Sequence, residues 1–93
     1  MNKSQLIKEV SNCTGFSQSA CEMIVNSVLN NITYELSKGN SVSLSDFGVF
    51  KPKYRKERIG RNPHTGKRVP IPARTMPTFQ PDKKLKEVVI NGN

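Results

Sequence analysis

The sequence predicts an α+β fold, in which two amphipathic helices precede an antiparallel sheet, a basic two-stranded arm and a short final helix. Apolar residues recur at helical spacing in the first 37 residues and then alternate with serines. The charge is concentrated further along the chain. Nine basic residues and one acidic residue lie between Lys51 and Arg74, a net charge of +8, while the other 69 residues hold six of each sign.

The first helix is predicted from Lys3 to about Thr14. Asn2 can cap its N-terminus, and Gly15 follows its end, where glycine often ends a helix. Its apolar residues are Leu6, Ile7, Val10 and Cys13.

The second helix is predicted to start at Ser17 and to end at Lys38-Gly39-Asn40. It carries a broad apolar stripe, which comprises Cys21, Ile24, Val25, Val28, Leu29, Ile32 and Leu36. The stripe is wider than one short partner helix needs. It therefore indicates packing on two sides, against the chain's own sheet and against a partner subunit.

Two short apolar stretches follow and predict paired strands. Val42 and Leu44 alternate with serines, which is typical of a half-buried strand. The turn 46–48 leads into a second strand, which opens at 49–50 and continues into the basic segment. Met76 and Phe79 are expected to be core residues of a returning strand.

The final helix is predicted over about 82–90, with Asp82 as its cap and Leu85, Val88 and Val89 as its apolar residues. Residues 90–93 are expected to fray. The chain is thus one domain of 93 residues. Its helical part, 1–40, would serve dimerisation, and 41–80 would form the sheet and an arm at about 51–74.

Without the arm, only about 69 residues remain to form a body, and a body of that size is marginally stable alone. An obligate dimer is therefore expected.

No segment is long and apolar enough to span a membrane, and the N-terminus lacks the apolar core of a signal peptide, so a cytosolic protein is expected. Cys13 and Cys21 are expected to be small buried residues. With His64 as the one histidine, distant in sequence, they do not make a zinc-ligand set. No metal or cofactor is expected.

The arm is predicted to be two extended strands, Lys51–Ile59 and Lys67–Arg74, joined by a glycine-flanked turn. Such a concentration of positive charge favours salt-sensitive binding to a phosphate backbone. Arg61 and Asn62 in the turn suit the minor groove. The residues expected to contact phosphates along the arm are Lys53, Arg55, Arg58, Lys67, Arg68 and Arg74.

Pro63 is a turn former. Its ring is rigid and its backbone has no N–H donor, and both properties are compatible with insertion between bases. Three further lysines on helices are candidates for phosphate contact, because the free N–H groups of a helix N-terminus favour phosphate. They are Lys3 on the first helix, and Lys83 and Lys86 on the last. No catalytic residue is predicted, because no carboxylate or nucleophile is placed beside His64 by the sequence.

Several short motifs resemble the HU/integration host factor family of bacterial DNA-bending proteins. They are Asn2-Lys3-Ser4, Gly39, Phe47-Gly48-Val49-Phe50 and Gly60-Arg61-Asn62-Pro63-His64-Thr65-Gly66-Lys67. The resemblance covers roughly residues 1–89. It implies an intertwined dimer whose two β-ribbon arms wrap the minor groove of double-stranded DNA, with Pro63 wedged between base pairs. The expected dimer core comprises Val25, Leu29, Ile32, Leu36, Phe47, Phe50 and Phe79.

The sequence departs from the HU pattern in places. Asp46 replaces the first glycine of the usual Gly-Phe-Gly turn, and a small local change is expected because aspartate tolerates turn conformations. Segments 69–74 and 78–81 look closer to integration host factor chains. Largely shape-dependent, nucleoid-associated binding by a homodimer is expected, and a sequence-specific subunit of a heterodimer is the alternative. An RNA-binding protein is less favoured because the arm's only aromatic residue is Tyr54, and a nuclease would need clustered carboxylates or histidines.

Overall fold

The computed structural model describes residues 1–92 and has the predicted α+β class. Its elements are α1 (Lys3–Thr14), α2 (Gln18–Ser37), β1 (Val42–Leu44), β2 (Gly48–Arg55), β3 (Arg58–Arg61), β4 (Arg68–Ile71), β5 (Arg74–Pro81) and α3 (Lys83–Asn91). Strands β1, β2 and β5 form an antiparallel sheet with β2 in the centre, and β3 pairs with β4 in a separate two-stranded ribbon. The chain divides into two compact units, Met1–Tyr34 and a second that begins at Glu35.

Local hydrogen bonds fix the bounds of α1 where the sequence predicts them. The Asn2 side chain accepts from the Gln5 N–H at 2.9 Å, and the Gln5 side chain accepts from the Asn2 N–H at 2.9 Å. This reciprocal capping box satisfies two donors that the helix start would leave unpaired. At the other end Gly15 has a φ of 80° and donates its N–H to the Ser11 carbonyl, so a residue that favours left-handed backbone ends the helix.

The contact between α1 and the start of α2 buries few side chains. Cys21 is 1% exposed and Ile7 is 9% exposed, and the Thr14 hydroxyl lies 3.9 Å from the Cys21 sulfur. The expectation that both cysteines are buried is wrong for Cys13, which is exposed. The buried residue of α1 is Ile7, and position 13, six residues further along, lies about 120° from it around the helix.

Much of the apolar stripe of α2 is left uncovered in the single chain. Ile24 is 55% exposed, Val28 51% and Leu29 45%. The remaining candidates for the dimer core on this helix, Val25, Ile32 and Leu36, are half-buried. A 20-residue helix with this much exposed apolar surface lacks a covering partner.

The β1–β2 hairpin turns through Asp46, the single described non-glycine residue with a positive φ, at 64°. Aspartate tolerates this left-handed conformation, which glycine also adopts. The local change expected at the departure from Gly-Phe-Gly stays a prediction. The turn is closed by a 3.1 Å bond from the Phe47 N–H to the Leu44 carbonyl.

Aromatic rings pack on one another where β2 meets β5. The Phe79 ring lies 4.7 Å from the Phe50 ring and 5.5 Å from the Phe47 ring, measured between centroids. Gly48 makes this packing possible, because a Cβ there would lie 2.6 Å from the Phe79 ring and 2.7 Å from the Gln80 carbonyl oxygen. Phe47 and Phe79 nevertheless remain 45% and 40% exposed.

Two expectations for the C-terminal part need correction. Met76 and Phe79 are three residues apart on β5, so they lie on opposite faces of the sheet rather than in one core. Residues 90 and 91 do not fray but belong to α3, which starts at its predicted cap, Asp82, and continues to Asn91. Residue 93 lies outside the described part. No described helix has the length and apolar character that crossing a bilayer requires.

Candidate nucleic-acid interface

The basic arm consists of two segments, not the continuous strands Lys51–Ile59 and Lys67–Arg74 that the sequence predicts. The arm root is the basic end of the sheet, residues 51–55 of β2 with 74–78 of β5. The arm tip is the β3–β4 ribbon with its turn, residues 58–71. The pairing stops after Arg55 with Arg74 and resumes at Arg58 with Ile71, so the ladder is interrupted over residues 56–57 and 72–73.

The turn at the end of the arm tip is held by bonds centred on Asn62. Its carbonyl accepts from the Gly66 N–H at 2.8 Å, and its own N–H donates to the Lys67 carbonyl at 2.8 Å. The Asn62 side chain accepts from the His64 N–H at 2.8 Å. Gly66 supplies the left-handed conformation, with a φ of 72°. Pro63 is therefore exposed at the far end of a turn whose backbone is fixed on both sides.

The two faces of the arm tip differ in chemistry. Arg61 pairs with Arg68 across the strands, so both side chains lie on one face, which we call the arginine face; Ile59 and Pro70 complete it. The opposite face carries Arg58 and Ile71 with Gly60 and Val69. An open cleft of about 440 Å³ is formed at this end of the arm by residues of the strands and the turn. Its lining residues are Gly60, Arg61, Asn62, Pro63, His64, Val69 and Ile71.

A basic face continues along the arm root. Lys51, Lys53 and Arg55 alternate with Pro52 and Tyr54 along β2, so the three cations share one side of the sheet. Arg74 is paired with Arg55 across the strands and lies on the same face. The cations of β2 also border a cleft of about 480 Å³, which Thr78, Phe79 and Gln80 complete.

Within residues 1–92, the nine basic side chains between Lys51 and Arg74 take part in no salt bridge. Salt bridges outside the arm include Lys83–Glu87 at 4.0 Å and Lys84–Asp46 at 3.8 Å. Two pairs of arginines directly oppose each other, Arg55 with Arg74 and Arg61 with Arg68. Like charges directly across a ladder are destabilising, so this arrangement favours an external polyanion.

The structure brings most of the predicted DNA-contacting residues into these two segments. Arg61, Asn62, Pro63, Lys67 and Arg68 lie at the end of the arm tip, and Arg58 lies at its base. Lys53, Arg55 and Arg74 lie on the arm root.

The helical candidates are distributed differently. Lys3 is the first residue of α1, in the first unit. Lys83 and Lys86 lie on α3 in the second unit, and Lys83 is engaged by Glu87. Sequence reasoning missed Lys51, although its alternation with residues 53 and 55 already indicates a shared face. The described residues hold no cluster of three or more His, Cys, Asp or Glu side chains suited to a metal ion.

Comparison with known proteins identifies the class to which this fold and this basic arm belong. Residues 1–90 match the family model of bacterial DNA-binding proteins. The chain therefore belongs to the bacterial DNA-binding protein family. The resemblance to HU proteins that the sequence motifs indicate is confirmed.

Individual relatives are similar over nearly the whole chain. The DNA-binding protein HU of Geobacillus stearothermophilus is 43% identical over 96% of this chain and 99% of its own length. The HU-alpha protein of Serratia marcescens is 42% identical over the same shares of the two chains. The structure of Anabaena HU in a cocrystal with DNA superposes with a TM-score of 0.88 at 34% identity, covering 96% of this chain and 97% of that one.

Proposed function

We propose that this chain forms a dimer that binds duplex DNA in the minor groove through its arms and bends it as an architectural protein. The observation that carries the proposal is the arm itself, with nine basic side chains, one acidic residue and no internal salt bridge. Membership of the bacterial DNA-binding family supports DNA as the polyanion, and so does the similarity to an HU protein crystallised with DNA.

In this proposal the residues of the arm divide into two roles. The cations of the arm root and three cations of the arm tip contact phosphates, which fixes the position of the protein without reading sequence. These residues are Lys53, Arg55, Arg58, Lys67, Arg68 and Arg74. Arg61 and Asn62 enter the minor groove, and Lys3, Lys83 and Lys86 extend the phosphate contacts to the helices.

Pro63 is proposed to be the wedge that bends the DNA. Its ring is exposed at the end of the turn. The hydrogen bonds between Asn62 and residues 66 and 67 hold the turn, and none of them needs an N–H from Pro63. Inserting an apolar ring unstacks a base step at a cost of about a few kcal/mol, and the bent DNA offsets this by contacting more protein surface. Preference for flexible or already distorted DNA follows, because less of that cost remains.

The dimer is proposed because the chain alone leaves apolar surface uncovered. Leu29, Phe47 and Phe79 are each at least 40% exposed, and together with the half-buried candidates Val25, Ile32, Leu36 and Phe50 they would form a core shared between two copies. A homodimer is the simpler assembly, and a heterodimer with a related chain would use the same surface. We place the protein on the bacterial nucleoid, in the cytoplasm, and assign it a binding function without catalysis.

The test is a competition gel-shift with duplexes of equal length. One duplex is intact, one is nicked at its centre, and a single-stranded RNA of the same length is the third ligand; magnesium is present so that cleavage would be visible. We expect binding in the order nicked duplex, intact duplex, RNA, with all strands uncut. Stronger binding to the RNA, or cleavage that copurifies with the protein, would contradict the proposal.

A further inference from the structure

The two ends of the three-stranded sheet differ in how their charges are compensated. At the arm root the cations Lys53 and Arg55 take part in no salt bridge within residues 1–92. The other end holds the turn 46–48 and the start of α3, and there three lysines are matched by three carboxylates. The lysines are Lys83, Lys84 and Lys86, and the carboxylates are those of Asp46, Asp82 and Glu87. A phosphate backbone is therefore attracted less strongly to this end than to the arm.

Asp46 is the acidic residue that reaches α3 from outside the helix. Its carboxylate lies 3.8 Å from the Lys84 ammonium group. The turn that carries Asp46 is fixed against the helix start, because the Asp82 N–H donates to the Phe47 carbonyl at 2.9 Å. The Asp82 carboxylate in turn accepts from the Lys84 N–H at 3.2 Å. Lys84 is thus engaged twice, through its side chain by Asp46 and through its backbone by Asp82.

The position of this ion pair determines which part of a bound duplex can reach it. Strand β5 connects the arm root to α3 and is eight residues long, from Arg74 to Pro81. The start of α3 therefore lies roughly 20–25 Å from the arm root along the strand. That distance corresponds to about six or seven base pairs of duplex. Phosphates at α3 are supplied by DNA that lies beyond the segment held by the arm.

A carboxylate at this place weakens the contact between α3 and DNA in two ways. It keeps Lys84 occupied, so a phosphate must displace Asp46 before it can pair with the lysine. It also repels the phosphate directly, over a screening length of about 8 Å at physiological salt. Building on the proposed DNA binding, we propose that Asp46 limits the length of DNA that each dimer engages, because it weakens the contact at α3 and leaves affinity to depend mainly on the DNA next to the arms.

The experiment measures affinity for a series of centrally nicked duplexes, from about 15 to about 45 base pairs, with the unchanged protein and with Asp46→Asn. Asparagine has the size of aspartate and tolerates the φ of 64° at this position, so the turn is retained. On the shortest duplex the two proteins should bind equally.

The longest duplex should separate the two proteins. The ion pair is weak, because the side chains of Lys84 and Asp46 are 67% and 70% exposed, and a few-fold effect is expected for each flank. In a dimer with two such flanks, Asp46→Asn should bind the longest duplex roughly three- to tenfold more tightly than the unchanged protein. Asp46→Gly also suits this backbone conformation and should show the same gain.

Two further measurements test the part played by Lys84. On the longest duplex the slope of log affinity against log salt should be steeper for Asp46→Asn by about one to two, since each newly neutralised phosphate adds about 0.9. In the double variant Asp46→Asn, Lys84→Gln most of the gain should be lost, because the lysine that would take the phosphate is absent.

Glu9→Gln is the matched control for net charge. It removes one negative charge per chain, as Asp46→Asn does, from an exposed position on α1. It should change the affinity for every duplex by one common factor, independent of length.

Each other outcome has a definite meaning. Equal affinities of the unchanged protein and Asp46→Asn on every duplex, or a gain of the same size on the shortest and the longest, would overturn the role of Asp46 while leaving DNA binding by the arms intact. A length-dependent gain of equal size in Glu9→Gln would overturn it in favour of net charge. Full gain in the double variant would overturn the role of Lys84. Failure of the unchanged protein to bind any duplex would instead contradict the proposed function itself.

Discussion

The helical segment 1–40 and the arm segment 51–74 both expose surface that a single chain leaves without partners, but the surfaces are opposite in kind. The helical segment holds three basic and three acidic residues, and its exposed surface includes Ile24, Val28 and Leu29. The arm segment has a net charge of +8.

The difference indicates what each surface binds. Uncovered apolar side chains on a neutral helix are stabilised by packing against another apolar surface, which a second copy of the chain would supply. Uncompensated cations on an extended ribbon favour binding of a polyanion. Membership of the bacterial DNA-binding protein family identifies that polyanion as DNA. Substitutions on one surface should therefore leave the other property intact wherever the protein still folds.

The largest effect is expected from a charge placed on the exposed apolar stripe. Leu29→Glu would bury an unpaired carboxylate in the proposed dimer core, at a cost of several kcal/mol. Because the body of one chain is small, we expect loss of both the dimer and the folded state at micromolar concentration. Light scattering and circular dichroism measure the two properties.

The neighbouring residue provides the matched control. Asn30 is exposed and lies on the polar side of α2, so Asn30→Glu adds the same charge without entering the apolar stripe. It should remain a dimer of about twice 10.4 kDa. A folded, dimeric Leu29→Glu protein would show that this stripe is not the dimer core.

A smaller effect, confined to DNA binding, is expected from charge reversal on the arm. Log affinity should fall with log salt by about 0.9 per phosphate contacted. The double variant Arg55→Glu, Arg58→Glu removes two predicted contacts from each arm, and in a dimer the slope should flatten by roughly two to four. The measurement is a titration of one duplex at several salt concentrations.

Charge reversal in the neutral helical segment is the control for that titration. Lys8→Glu changes the net charge by the same amount per substitution, but residue 8 lies on α1 and outside the arm. Its slope should stay close to that of the unchanged protein. Equal flattening by both variants would mean that net charge, and not the arm, sets the salt dependence.

The smallest expected effect concerns stability. Gly48→Ala places a Cβ against the Phe79 ring and against the Gln80 backbone carbonyl, and the backbone contact cannot be relieved by a rotamer change. We expect a loss of about 1–3 kcal/mol in the free energy of unfolding. Gly60→Ala is the comparison on the arm tip, where the new Cβ meets chiefly the movable end of Ile71. Urea unfolding should rank Gly48→Ala as the more destabilised protein.

Local signals in the sequence were sufficient to predict the helices and the turns. The Asn2 cap and Gly15 determine α1 through bonds between residues at most five apart, and these can be predicted from neighbouring residue types. The left-handed backbone at Asp46 follows in the same way from the turn chemistry of aspartate. The charge of the arm depends on composition alone, so the sequence was enough to predict the kind of ligand.

The features that depend on pairing across the chain were not predictable in this way. The interruption of the arm between Arg55 and Arg58, and the pairing of Arg61 with Arg68, depend on the register of the two strands. Exposure of Cys13 depends on which face of α1 meets α2. Two expectations stay predictions. One is the boundary at residue 40 between a dimerisation part and the sheet with its DNA-binding arm, and the other is the set of roles given to individual arm residues.

The central claim is that the arm bends DNA by inserting Pro63, and fluorescence energy transfer between the two ends of a duplex tests it most directly. Pro63→Ala keeps every charge of the arm and the bonds around Asn62, but removes the rigid ring. At saturating protein we expect the transfer on intact duplex to drop sharply, and affinity for nicked duplex to suffer less than affinity for intact duplex, since unstacking a step costs about a few kcal/mol. Normal bending by the bound variant, with equal affinity losses on both duplexes, would contradict the claim and reduce Pro63 to a turn residue.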